Sequence, residues 1–143
     1  MSNAQHLVAA CAAMVLLVAI VGLRLFAVRV DEMRAKRIHP QAAADSLKVA
    51  SRLDRVQAAD NFRNLFELPV LFYTLVAVAL ATAPVPDWLV AGSWCFVLLR
   101  YVHSAIHCSY NRVLHRFTAY GLGLVLLAGL WAAFMVQMLA HRP

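Results

Sequence analysis

The sequence predicts an all-α integral membrane protein, a bundle of four transmembrane helices, on three observations. Of its 143 residues 63% are hydrophobic and only 14% charged, and soluble domains carry about 25% charged residues, so a water-soluble globule is excluded. The apolar residues gather into four stretches separated by polar or proline-bearing segments. The length accommodates four spans of about 20 residues with short connections and no second domain, so residues 1–143 read as one domain. Disorder is excluded by the 7 Phe, 4 Tyr and 3 Trp, which supply ample surface to bury.

The first span is the uncharged run from Met1 to Leu23, closed by Arg24; it lacks the positive start and small-residue cleavage site of a secretory signal, so it is expected to remain in the protein. The second takes in the 19 uncharged residues Leu68 to Pro86. Its helix can begin earlier, because Leu53 to Glu67 contains no Gly or Pro. Pro84 and Pro86, with one residue between them, end it in a tight turn. Trp88 to Leu99 gives only 12 uncharged residues, too few to cross, so the third span must run through Arg100 and His103 to Cys108 or Tyr110. Phe117 to Ala140 supplies 24 uncharged residues for the fourth, with His141-Arg142-Pro143 as its polar stop. No internal repeat or low-complexity linker divides the chain.

The net charge of +6 does not point to nucleic acid, since 8 of the 13 Lys and Arg lie between Arg29 and Arg63, mixed with Asp31, Glu32, Asp45, Asp54 and Asp60. That pattern reads as a solvated connection at a membrane surface. By the bias of Lys and Arg toward cytoplasmic loops, both termini are expected on the non-cytoplasmic side of a multi-pass protein. Cys11, Cys95 and Cys108 are far apart in apolar stretches, which gives neither a disulfide framework nor a CxxC metal site.

Ionisable residues inside spans cost about 2.5–3.5 kcal/mol each on insertion scales and usually mark a site. Here alternating helix direction carries Arg24, the group Arg63, Asn64 and Glu67, the group Arg100, His103 and His107, and the pair Arg116 and Tyr120 to one side of the membrane. Arg100, His103, His107 and Tyr110 follow an i, i+3, i+7, i+10 series that puts them on one helical face. Asp60, Asn64 and Glu67 share a stripe. Such a pocket suits a small polar anion. Each member has an ordinary structural alternative: Arg24, Arg112 and Arg116 snorkelling to headgroups, Arg63 and Glu67 as an i,i+4 ion pair, and His103 and His107 as satisfied core histidines. His103-x3-His107 also has the spacing of two metal ligands, but no further ligand completes a tetrahedral set, so no metal is expected; a haem between helices is expected no more than a metal.

The run Asp60-Asn61-Phe62-Arg63-Asn64-Leu65-Phe66-Glu67-Leu68-Pro69, then Arg100-x-x-His103-x-x-x-His107, then Arg116-x-x-x-Tyr120 resembles the MAPEG family, the membrane-associated proteins in eicosanoid and glutathione metabolism. The chain resembles a divergent, bacterial-like member. The resemblance extends over essentially the whole sequence. It implies a homotrimer of four-helix subunits that binds glutathione between neighbours on the cytoplasmic side and admits a lipophilic electrophile from the bilayer. Arg63, Asn64 and Glu67 match the helix-two signature that holds the peptide backbone. Arg24 matches the arginine closing helix one, and Arg100 with His103 the Arg-x-x-His pattern of helix three. Arg116 matches the helix-four arginine held to stabilise the thiolate, with Tyr120 beside it. Three positions depart from the pattern: Asp60 stands where a basic residue is usual, His107 where Tyr is common, and Phe117 where some members have Ser.

What the resemblance implies is a glutathione S-transferase or peroxidase of the membrane, the cytoplasmic membrane in a bacterium, with Arg116 and Tyr120 acting on the thiol. A non-enzymatic lipid-binding or scaffold protein on the same fold is the alternative. The electrostatics are sufficient: lowering a thiol pKa near ~8.5 by ~2 units takes about 2.7 kcal/mol, and a unit charge at ~4 Å in an effective dielectric of ~20 offers about 4 kcal/mol before desolvation.

Overall fold

The structure is a computed structural model that describes residues 1–39, 41, 52–82 and 84–140. The described residues are helical without strands: α1 Asn3–Ala35, α2 Gln57–Asn64, α3 Leu68–Thr82, α4 Asp87–Cys108 and α5 Val113–Ala140. Four helices are long and apolar enough to cross a membrane, with α2 and α3 counted as one interrupted span, Gln57–Thr82.

Ser2 caps α1 in a box with Gln5, its Oγ accepting from Gln5 N and its own N–H donating to Gln5 Oε1 at 2.8 Å. The helix then runs beyond Arg24, where the sequence places the end of the first span, and takes in residues 25–35 of the segment read as a solvated connection. It stops where Arg37 adopts a left-handed φ of 53° and the Ile38 N–H returns to Met33 O at 2.9 Å. Glu32, buried near this end, accepts from the Asp54 N–H at 2.6 Å and the Arg55 N–H at 3.1 Å, and pairs with Lys36 at 2.8 Å. Glu32 and Asp54 together hold the Lys36 ammonium above its ordinary pKa. These contacts dock the start of the second span onto α1. Asp45 and the polar stop His141-Arg142-Pro143 lie outside the described residues.

The second span is broken at Leu65–Glu67, a feature the sequence reading does not anticipate. Pro69 explains it: the ring has no N–H to offer and would crowd the Leu65 carbonyl in a continuous helix, whereas the first turn of a new helix accepts it. The backbone crosses the break on short-range bonds, Phe66 N–H to Arg63 O at 2.9 Å and Val70 N–H to Glu67 O at 3.2 Å.

The helices alternate in direction. Asn3 ties the start of α1 to the turn before α4 through Val85 O at 2.8 Å and Asp87 Oδ1 at 2.7 Å. At the other end Arg24 Nη2 donates to Cys108 O at 2.6 Å. Between them Tyr101 OH donates to Ala13 O at 2.8 Å. The core is laid down at helical spacing: Leu7, Ala10, Met14, Leu17 and Val21 on α1 meet Phe72, Leu75 and Val76 on α3, Leu89, Phe96 and Val97 on α4, and Leu127, Leu130 and Phe134 on α5. Phe72 stacks on Phe96 with centroids 4.9 Å apart. The outer surface carries Val8, Val15, Leu16, Ile20, Leu98, Leu122, Val125 and Val136, so the molecule is apolar outside as well as in, the condition that lipid rather than water satisfies.

Candidate functional site

At the end of the bundle opposite Asn3, a recess of about 330 Å³ opens between the α2–α3 break, the last turns of α4 and the first turns of α5. Asp60, Arg63, Asn64 and Glu67 line it from the second span, His103 and His107 from α4, and Val113, Arg116, Phe117 and Tyr120 from α5. The break is what aims the first group: Glu67 sits in the interruption itself, with its carboxylate turned to Tyr120, whose OH donates to Oε2 at 3.3 Å.

Arg116 stands at the centre of the polar contacts. Its Nη1 lies 2.8 Å from His107 Nε2 and 3.0 Å from Asn111 Oδ1. Because guanidinium groups only donate, His107 Nε2 is the acceptor and the ring's proton is on Nδ1. His103 is read the same way. Its Nδ1 faces the Arg116 carbonyl oxygen at 3.1 Å, so Nδ1 carries a proton and donates it there. The two imidazoles meet edge to face at 5.5 Å.

Arg100 is fully buried one turn below His103, with its guanidinium 5.1 Å from the centroid of the Tyr120 ring. None of its three nitrogens has a hydrogen-bond partner among the described residues, nor do Ser93 Oγ, His103 Nε2 and His107 Nδ1. These atoms form one polar stripe along the α4 face turned to α5. Arg100 therefore stands behind Tyr120 and contributes charge beneath the recess rather than lining it.

The remaining expected residues are divided. Arg63 is mostly exposed at the mouth, 4.0 Å from Asp60 as an i,i+3 pair; its ion pair is with Asp60 and not with Glu67. Asp60 thus lines the recess where the resemblance places a basic group. Arg24 lies elsewhere, on a neighbouring recess with Arg55, Gln57 and Cys108. Tyr110 also falls off the expected face, because α4 ends at Cys108, Ser109 Oγ turns back to the Ala105 carbonyl, and Tyr110 OH faces His115 Nδ1 at 3.2 Å. Asn111 is the polar residue that sequence periodicity misses. It sits in a turn with a left-handed φ of 48°, where no helical repeat extends. Among the described residues no group of three or more His, Cys, Asp and Glu is placed to hold a metal ion.

The sequence profile of the MAPEG family matches residues 7–136. The chain belongs to the MAPEG family. No curated protein and no solved structure matches it. Family membership and the four spans make it an integral multi-pass membrane protein of the glutathione and eicosanoid metabolism family. The recess of this MAPEG protein combines a half-buried guanidinium, two carboxylates, an amide and two imidazoles, and opens past Val113 and Phe117, both largely exposed on the outer face of α5.

Proposed function

We propose that the protein is a glutathione-dependent transferase or peroxidase of the membrane, in which the recess holds glutathione and Arg116 stabilises its thiolate. The single observation that supports this best is the convergence on one recess of Arg63, Asn64, Glu67 and Arg116 from separate segments of the bundle. Glutathione offers two carboxylates, an ammonium, two amides and a thiol. Arg63 suits a carboxylate, Glu67 the ammonium and Asn64 the peptide amides. Arg116 is left for the sulfur. The thiol loses its proton to solvent, and the thiolate forms an S–C bond with an electrophile that expels a leaving group or takes up a proton. With a hydroperoxide the thiolate instead attacks the terminal oxygen, forming a sulfenic acid as the O–O bond breaks and the expelled alkoxide takes a proton from solvent; a second glutathione thiol then attacks the sulfenic sulfur, giving the disulfide and water. Val113 and Phe117 open the recess toward lipid, which favours an apolar electrophile dissolved in the bilayer.

The same reading makes the active form a homotrimer with the recess at a subunit boundary and both termini on the non-cytoplasmic side. Arg24, which faces away from the recess of its own subunit, belongs in this reading to the ligand-holding set only through such a boundary. Calorimetry on the purified protein tests the proposal. Saturable binding of glutathione at millimolar concentration, with turnover of a chromogenic electrophile, is the expected outcome. Binding without turnover favours the non-enzymatic alternative, to which Asp60 at the mouth lends weight by offsetting Arg63. No binding ends both the transferase and the peroxidase readings.

A further inference from the structure

The Arg116 guanidinium is oriented by two uncharged acceptors, although two carboxylates line the same recess. His107 Nε2 at 2.8 Å and Asn111 Oδ1 at 3.0 Å share Nη1, whereas Asp60 pairs with Arg63 and Glu67 accepts from Tyr120. A carboxylate in either place would hold the same geometry and cancel the charge; a lone pair or an amide oxygen holds it and leaves the charge intact. The backbone of Arg116 is fixed as well, by His103 Nδ1–H on its carbonyl at 3.1 Å. Nε and Nη2 remain without a partner among the described residues.

We infer that Asn111 is a positioning residue of this site, forming with His107 a neutral clamp that aims an unneutralised Arg116 at the bound sulfur. The inference rests on the glutathione reading for its consequence, and on geometry alone for the clamp. Asn111 is presented by a rigid turn: its N–H donates to Ile106 O at 2.9 Å, and its φ of 48° lies in the region that Asn, Asp and Gly tolerate best. Those tolerances make the side chain separable from the backbone. Asn111→Gly keeps the turn and removes the acceptor. Asn111→Asp keeps turn and acceptor and adds a charge beside Arg116.

The experiment is an ultraviolet pH titration of glutathione bound to the full-length protein and both variants, with S-methylglutathione binding as the control that lacks an ionisable thiol. Both variants should shift the midpoint of thiolate formation upward by about 1 unit or more, while binding S-methylglutathione within about twofold of wild type. An Asp variant that ionises the thiol as readily as wild type overturns the inference, as does equal loss of both ligands in the Gly variant, which would mark Asn111 as merely structural. Side-chain nitrogen NMR of His107 tests the clamp without glutathione. A proton on Nδ1 with a hydrogen-bonded lone pair on Nε2 supports it, and a proton on Nε2 overturns it. If wild type fails to bind glutathione, the functional reading falls and the His107 spectrum alone decides the clamp.

Discussion

Arg116 is half-buried, so its charge acts in a medium less screening than water, and among the described residues its side-chain hydrogen bonds go to an imidazole and an amide rather than to an acid. Arg116→Ala should therefore raise the ionisation midpoint of bound glutathione by about 2 units, the range an adjacent cation commands, and abolish the thiolate band at neutral pH. Sedimentation of the variant should be unchanged, because the side chain lines a recess rather than the core. A retained thiolate band would remove Arg116 from the role. Phe117, 72% exposed on the lipid side of the same recess, carries a different expectation. Phe117→Ala should raise KM for an apolar electrophile several-fold and leave KM for glutathione within about twofold, since the ring's burial against such a partner is worth about 1–2 kcal/mol. Equal changes in both would place Phe117 in glutathione binding instead.

At the scale of the elements, Pro69 and Gly92 are the residues whose neighbours decide the outcome. Pro69→Ala should let α2 and α3 join and rotate Arg63 and Asn64 away from Arg116. Glutathione affinity is expected to fall about tenfold or more, with thermal stability held or raised, and unchanged affinity would show that the break does not aim the site. At Gly92 an added Cβ would collide with the end of the Leu130 side chain across the α4–α5 contact, so one of the two must shift. Gly92→Ala should cost about 1–3 kcal/mol through displacement of Leu130, read as a lowered melting temperature; no change would mean that Leu130 swings aside freely. The elements themselves were legible in sequence because lipid imposes a one-dimensional requirement, a long uncharged run, and the body of each run is helical, with Met1 and Ser2 ahead of α1 and Pro84 to Pro86 beyond α3. Their ends were less so. Helix α1 continues past Arg24 because the contacts that sustain it, Glu32 with residues 54 and 55, are distant in sequence. The fourth span, α5, starts at Val113, ahead of Phe117, because charged residues are tolerated in a helix that begins at the surface. Periodicity put His103 and His107 on one face of α4, alternating direction carried Arg116 and Tyr120 to the same end, and all four line the recess. Periodicity could not show that Arg100 lies behind the Tyr120 ring, which depends on rotamers, or that Asn111 reaches Arg116 from a turn.

For the whole molecule, apolar surface faces outward on every long helix while the charged groups of the recess face inward at one end. That inversion is what a bilayer selects, and it confines the polar recess to one membrane boundary, within reach of both the aqueous phase and the lipid. The central claim is that this boundary recess holds glutathione as its thiolate. An ultraviolet difference spectrum of the wild-type protein titrated with glutathione at neutral pH tests it most directly. A thiolate band that grows saturably with glutathione and disappears in Arg116→Ala is the expected result. A spectrum equal to the sum of protein and free thiol at every concentration would contradict it.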